Sequence, residues 1–277
     1  MDSTRVTIDV TVDLPDTTGA GRTNDASAIG ARAVAIMQPY FVPYLGYFQL
    51  IAAAGTFVVY DDVQYIQRGW INRNRVLNQG RPQYITIPLD KASQNKRINE
   101  LTIAQATQWQ KKTLQTLRSA YGRASHFAEV FPICEAIVGL PEPGLVGFLE
   151  HSLKLVCAAL GISTRFVRAS CIPGVDQFRG TARILAICKH LDAATYINPI
   201  GGTALYSPSD FLQEGIRLQF VKSTPPEYRQ HEAAHVPSLS IIDVLMFNGI
   251  AQTRDWLACY QLLDSGSAEL PTDCAAA

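Results

Sequence analysis

The sequence predicts an α/β fold, with a mainly parallel β-sheet and flanking helices. Three observations carry this. Short, continuous apolar runs recur along the chain, the pattern of strands buried on both faces. Stretches of helical spacing stand between them. The first strand, loop, helix and strand also close within about thirty residues, the size of a βαβ crossover.

AVAIM (33–37) is the first buried strand. QPYFVPYLG follows, and its two prolines and one glycine enforce a loop. GYFQLIAAAG (46–55) has helical spacing and a terminal glycine. TFVVYDD (56–62) is the second apolar strand and ends in two carboxylates. Residues 63–80 are polar and aromatic without a period. RPQYITIPLD (81–90) alternates as a strand does, and INELTI (98–103) reads as another. Residues 105–122 and 141–161 read as helices, the second ending at Gly161. TRFVRAS (164–170) is a strand, 180–193 a helix, and ATYINPIGG (194–202) a strand running into a Gly-Gly loop. PSDFLQEG (208–215) is a short helix, IRLQFVK (216–222) a strand, and SLSIIDVLMFNG (238–249) a helix capped by Gly249. The domain therefore spans 32–265. Residues 1–31, rich in Gly, Thr, Asp and Asn, read as a flexible extension, and 266–277 as a loose tail.

The 277 residues are 47% apolar, and 24 basic side chains balance 24 acidic ones. A nucleic-acid binder usually carries a basic excess, and none appears globally. The six cysteines form no CxxC pair and stand near no histidine at metal spacing, so neither a zinc site nor a disulfide framework is read. A reducing cytoplasm suits them. The N-terminus is not a secretory signal, and no run approaches the roughly 18 apolar residues of a spanning helix. No membrane partner and no cofactor are expected, and the oligomeric state is open. GxSxG, P-loop and complete GxGxxG motifs are all absent.

Candidate site residues follow from strand ends. Gln38, Tyr40 and Tyr44 sit in the loop after the first strand. They read as a pocket wall of amide and phenol groups, or as an aromatic loop packed on the sheet. Asp61 and Asp62 face opposite sides of a strand end. One reads as a general base and the other as an arginine partner, the alternative being a plain cap and salt bridge. Gln64, Arg68, Trp70, Asn72, Arg73 and Asn74 combine a guanidinium fork, a stacking ring and amides, a mixture suited to binding or to an internally braced loop. Gly201 and Gly202, ahead of the substrate-binding candidate Tyr206, offer backbone N–H groups for an anion or acyl oxygen, or merely a turn. His231 is a base that titrates near neutrality, or a solvated loop histidine. Thr181 and Arg183 open a helix, where an anion site and a routine cap both fit.

Several stretches together resemble the WbqC-like family: MQPYFVPYLGYFQLI (37–51), FVVYDDVQYIQRGWINRNRV (57–76), ITIPL (85–89), YINPIGGTALY (196–206) and LSIIDVLMFNG (239–249). The resemblance implies a role in O-antigen, other cell-surface sugar or natural-product assembly. It also implies chemistry that attaches an aminoacyl group, such as glycyl, to an amino sugar. The first βαβ unit further resembles the Rossmann-like, HUP-type fold of nucleotidyltransferases and pantothenate synthetases. Those proteins carry His-x-Gly-His where Tyr44-Leu45-Gly46-Tyr47 stands here. Tyrosines supply no positive charge for a triphosphate, so the donor is expected to arrive activated, as a thioester, on an acyl carrier protein for instance, or as aminoacyl-tRNA. The expected function is amide formation on an amino sugar or other amine-bearing intermediate, with Asp61, Asp62 and His231 as catalytic candidates. A non-catalytic sugar- or nucleotide-binding scaffold and an ATP-dependent amide ligase are the alternatives.

Overall fold

Each central strand alternates its side chains between two apolar layers, which is why the runs in the sequence are continuous. In β1 (Ala33–Met37), Ala33 and Ala35 enter one core cluster, and Val34 and Ile36 the other. β2 (Thr56–Val59) divides the same way, Phe57 and Val59 against Val58. β6 (Thr195–Pro199) splits as Ile197 against Tyr196, and β7 (Arg217–Ser223) as Val221 against Leu218 and Phe220. A sheet buried on both faces needs helices on both. The computed structural model describes residues 32–105, 108–231 and 234–267.

The sheet has six strands in the order β5-β2-β1-β6-β7-β8. β5 (Arg165–Arg168), β2, β1, β6 and β7 run parallel, and β8 (Tyr260–Asp264) closes one edge antiparallel to β7. The register places Met37 beside Val59 and Ala35 beside Ile197. This is the expected Rossmann-like α/β architecture. On one face lie α1 (Leu45–Ala53) and α4 (Leu145–Leu160), with α3 (Phe127–Val138) and α7 (Ile241–Asp255) in the same large core. On the other face lie α5 (Gly180–His190) and the short α6 (Pro208–Gln213). α2 (Trp109–Tyr121) packs on a two-stranded hairpin, β3 (Arg73–Asn78) and β4 (Arg81–Thr86). Among the described residues, no helix is long and apolar enough to cross a membrane.

Four local features differ from the sequence expectation. INELTI is not a strand: Ile98–Glu100 forms one 3-10 turn, because the Glu100 carboxylate reaches back to the Arg97 N–H. β3 emerges from the aperiodic stretch, its register fixed by pairing with β4. α3 was hidden by Pro132 in its interior, although its buried residues 130, 131, 134, 137 and 138 follow helical spacing. Gly249 does not end α7 but kinks it: its φ of 76° and ψ of 173° interrupt a helix that resumes to Asp255. A side chain there would collide with the His126 ring, so glycine admits the close approach as well as the backbone. The expected extension 1–31 lies outside the described residues, as does all of the tail from 268.

Candidate functional site

β1 and β6 are neighbours whose connections leave in opposite directions, β1 toward β2 and β6 toward β7. The crevice outside the carboxyl ends of such a pair is the ligand-binding place of open α/β sheets. Gln38 leaves β1 here, half-buried, and Gly201 and Gly202 follow β6. The end of β2 is tied in by the Tyr60 N–H, which donates to the Met37 carbonyl at 2.8 Å.

Two aspartates follow Tyr60, and both are buried. Both oxygens of Asp61 are engaged: Oδ1 accepts from the Ser170 N–H at 3.0 Å and Oδ2 from the Ser170 hydroxyl at 2.6 Å. Asp62 turns to α5, where its Oδ2 accepts from Arg183. The two side chains are only 5% and 6% exposed. The Arg183 guanidinium also lies over the Tyr60 ring, 5.0 Å from its centroid. Asp62 Oδ1 and Arg183 Nε are buried and have no hydrogen-bond partner among the described residues, and neither has Thr203 Oγ1 in the turn after β6. Buried polar atoms are rarely left so, because each costs about 1–3 kcal/mol unless something completes it.

Tyrosines line the same end of the sheet. The Tyr196 and Tyr206 hydroxyls are 3.1 Å apart. Burial pushes both hydroxyls above their ordinary range, and that of Tyr60 as well, although the Arg183 charge pulls Tyr60 back down. These phenols therefore stay neutral donors at physiological pH. Gly202 is needed for contact: a β-carbon on it would overlap the Asn198 side-chain amide.

Tyr40 and Tyr44 sit in the loop before α1, Tyr40 against the Tyr47 ring. Burial raises both hydroxyls, with Tyr44 adding to the effect on Tyr40. Tyr44 lines a cleft of about 590 Å³ together with Gly46, Ser223, Thr224, Glu227 and His235. Tyr47 takes no part in it: the ring is 1% exposed, and its hydroxyl donates to the Gln38 carbonyl at 2.7 Å.

The polar stretch after β2 turns many of its groups inward. Asn72 accepts from the Tyr65 hydroxyl at 2.8 Å and donates to the Ile87 carbonyl at 2.8 Å. Asn74 donates to the Phe41 and Val42 carbonyls at 3.0 and 3.1 Å, holding the loop that carries Gln38 and Tyr40. Arg73 donates to the Gly69 and Arg68 carbonyls and lies over the Tyr84 ring. Half-buried Trp70 is 6.3 Å from Tyr84 and carries Arg75 over its face. Gln64 bridges to Arg97, and Arg68 is exposed at a φ of 60°. His231 is held elsewhere, its Nε2 3.2 Å from the Ala120 carbonyl and its ring edge-on to Phe247 at 4.8 Å. The structure thus gathers Gln38, Asp62, Gly201, Gly202 and Tyr206 at one end of the sheet. It does not bring His231 into contact with either aspartate.

Tyr60, Asn198 and Thr203 were not singled out from the sequence, and Arg183 was read as part of a helix start. A signal for Arg183 did exist. It falls at a buried position of α5 with Ile184, Ile187 and Cys188, where an arginine demands a buried partner. Among the described residues, no group of three or more His, Cys, Asp or Glu could hold a metal ion.

Residues 38–255 match the model of the WbqC-like protein family. The chain belongs to that family. It is 32% identical over 229 residues to Uncharacterized protein Rv1507c of Mycobacterium tuberculosis (strain ATCC 25618 / H37Rv), covering 82% of this chain and 97% of that protein. No solved structure matches the chain significantly. The WbqC-like match opens at Gln38, the first residue past β1, and so contains every crevice residue described above.

Proposed function

We propose that this WbqC-like protein is an amide-forming transferase, moving an acyl or aminoacyl group such as glycyl from a pre-activated donor to an amine. The observation that carries the reading is Asp62. It is a buried carboxylate at the crevice, with one oxygen committed to Arg183 and the other without a partner. An acceptor amine satisfies that oxygen by donating to it. As the amine nitrogen bonds to the acyl carbon, its proton passes to Asp62. The bond to the leaving thiolate or ribose oxygen then breaks, and the proton follows the leaving group. Gly201 and Gly202 lie in a 3-10 turn (Ile200–Leu205) rather than an open loop, so the exposed Gly201 N–H serves the oxyanion that forms between these steps, and Tyr60 and Tyr206 orient the acceptor. Asp61, tied to Ser170, acts as a positioning residue for the end of β2.

Pre-activation is supported by Tyr47, whose hydroxyl is committed to the Gln38 carbonyl where nucleotidyltransferases carry a triphosphate-binding histidine. A thioester or an aminoacyl-tRNA in the cytoplasm is the fitting donor, and an amino sugar or amine-bearing intermediate of surface-sugar or natural-product assembly the fitting acceptor. Mass spectrometry of reactions pairing acyl thioesters or charged tRNA with amino-sugar nucleotides tests this. An amide product is expected without ATP, and Asp62→Asn should lower turnover by about a hundredfold or more. Full activity of Asp62→Asn removes the base assignment. AMP or ADP release would replace the transferase by a ligase. Binding with no turnover on any donor would leave a pathway scaffold, a reading that the resemblance of Asp62–Arg183 to a plain structural ion pair supports.

A further inference from the structure

We propose that a second cleft, remote in its contacts from Asp62, binds a phosphate-bearing ligand through Arg123 and Arg229. The cleft measures about 850 Å³ and is lined by the Gln79–Gly80 turn, Arg123 and Ser125 between α2 and α3, Arg229 and His231 after β7, and Asn248 on α7. Two exposed arginines line it from separate loops. No carboxylate is among the described lining residues. Neither arginine has an ion-pair partner among the described residues. The chain as a whole is neutral, so this concentration of cations is local.

The frame is pre-organised. Arg229 Nε donates to the His231 carbonyl at 3.1 Å, which fixes the guanidinium by one edge and leaves the Nη fork for a planar or tetrahedral oxyanion. His231 is itself anchored, Nε2 to the Ala120 carbonyl. A carbonyl only accepts, so Nε2 carries hydrogen and Nδ1 remains a second polar atom of the ring. Asn248 donates to Val244 at 2.8 Å through Nδ2. Ser125 adds a hydroxyl, and Glu129, on the next helix, is held by His126 at 3.1 Å. Phosphate fits this set better than carboxylate: its several oxygens can take both forks and the hydroxyl together. The space suits a ligand of nucleotide size.

The inference does not depend on the transferase reading. Full-length protein is titrated calorimetrically at low ionic strength with inorganic pyrophosphate, a nucleoside diphosphate and coenzyme A. Saturable pyrophosphate binding is expected, about tenfold weaker in Arg123→Ala and in Arg229→Ala, since a hydrogen bond to a charged group contributes about that much. The double variant should not bind, and Asp62→Asn should bind as the wild type does. Tighter binding of the nucleotide or of coenzyme A than of pyrophosphate identifies the source of the phosphate. A local role for Arg123 at the end of α2 would instead lower the thermal midpoint and leave binding intact. That result overturns the proposal. So does absence of saturable binding to all three probes, binding retained by the double variant, or binding lost in Asp62→Asn. Should the double alanine variant fail to fold, the paired Arg→Gln variant gives the same test.

Discussion

Arg183→Met tests the centre of the crevice. Methionine keeps much of the arginine stem and removes its charge. The Asp62 and Arg183 side chains are 5% and 6% exposed, so bulk water replaces the lost partner poorly. Asp62 Oδ1 has no partner to begin with, and after the substitution Oδ2 has lost its guanidinium too. Stranding a buried carboxylate in this way costs about 3–5 kcal/mol. Adding Asp62→Leu should recover most of that loss, because an apolar pair in place of a buried ion pair is often neutral or stabilising. Urea unfolding followed by the fluorescence of the three tryptophans measures both steps. A loss below about 1 kcal/mol in Arg183→Met, or a double variant no more stable than the single, would show that the pair is not the buried, coupled unit described. The same double variant separates fold from function: it should unfold near the wild-type midpoint and show no turnover.

Three further outcomes are expected. Asp243 is fully buried and accepts from the hydroxyls of Tyr121 and Tyr228 and from Gln230 Nε2, so Asp243→Ala strands the two hydroxyls, while Gln230 Nε2 keeps the Val236 carbonyl, and should cost roughly 2–5 kcal/mol in urea unfolding. Burial holds the Asp243 carboxyl above its usual range despite those bonds, so in the wild type this group adds stability as pH falls through its folded value. Glu150 has the opposite sign: burial alone would raise it, but bonds from Lys154 and Arg168 outweigh burial and hold it low. Its contribution, about 1 kcal/mol or less because both partners are substantially exposed, is present above the unfolded value and lost as pH falls through the folded one. The stability gap between wild type and Glu150→Gln should therefore close in acid, which a pH series of unfolding curves reads. Gly202→Ala forces the Asn198 amide aside and should reduce turnover with a stability change of about 1 kcal/mol, by paired activity and unfolding measurements.

The fold was legible where burial is two-sided. AVAIM, TFVV and YIN read as strands because both faces of the sheet are covered, and βαβ spacing made β1 and β2 parallel neighbours. Order across the sheet was not legible, since placing β6 beside β1 joins residues about 160 positions apart, and periodicity carries no such information. β8 also escaped notice: it is short, mostly exposed and fixed by pairing with β7 rather than by its own pattern. INELTI was misread because alternation looks the same in a strand and in a single turn followed by isolated bridges.

At the site, residue type was easier to read than direction. Two carboxylates just past a buried strand announced an ion pair or a base, yet nothing local says that Asp61 turns to Ser170 and Asp62 to Arg183, the latter 121 residues away. The stretch from Gln64 to Asn74 poses the same problem in sharper form. Its polar density suits a binding segment and an internal brace equally, because both need amides and guanidinium groups. The amides of Asn72 and Asn74 and the Arg73 guanidinium point to backbone carbonyls. Asn74 and Ser240, the N-cap of α7, both donate to the Val42 carbonyl, while Ile241 donates to that of Pro43. The loop carrying Gln38 and Tyr40 is thereby clamped from the hairpin on one side and from a helix start on the other. A pocket wall must be rigid to orient two substrates. In the proposed function, Asn74 therefore acts on the crevice by holding its wall, and the groups that meet the ligand belong to Tyr60, Asp62 and the loop after β6.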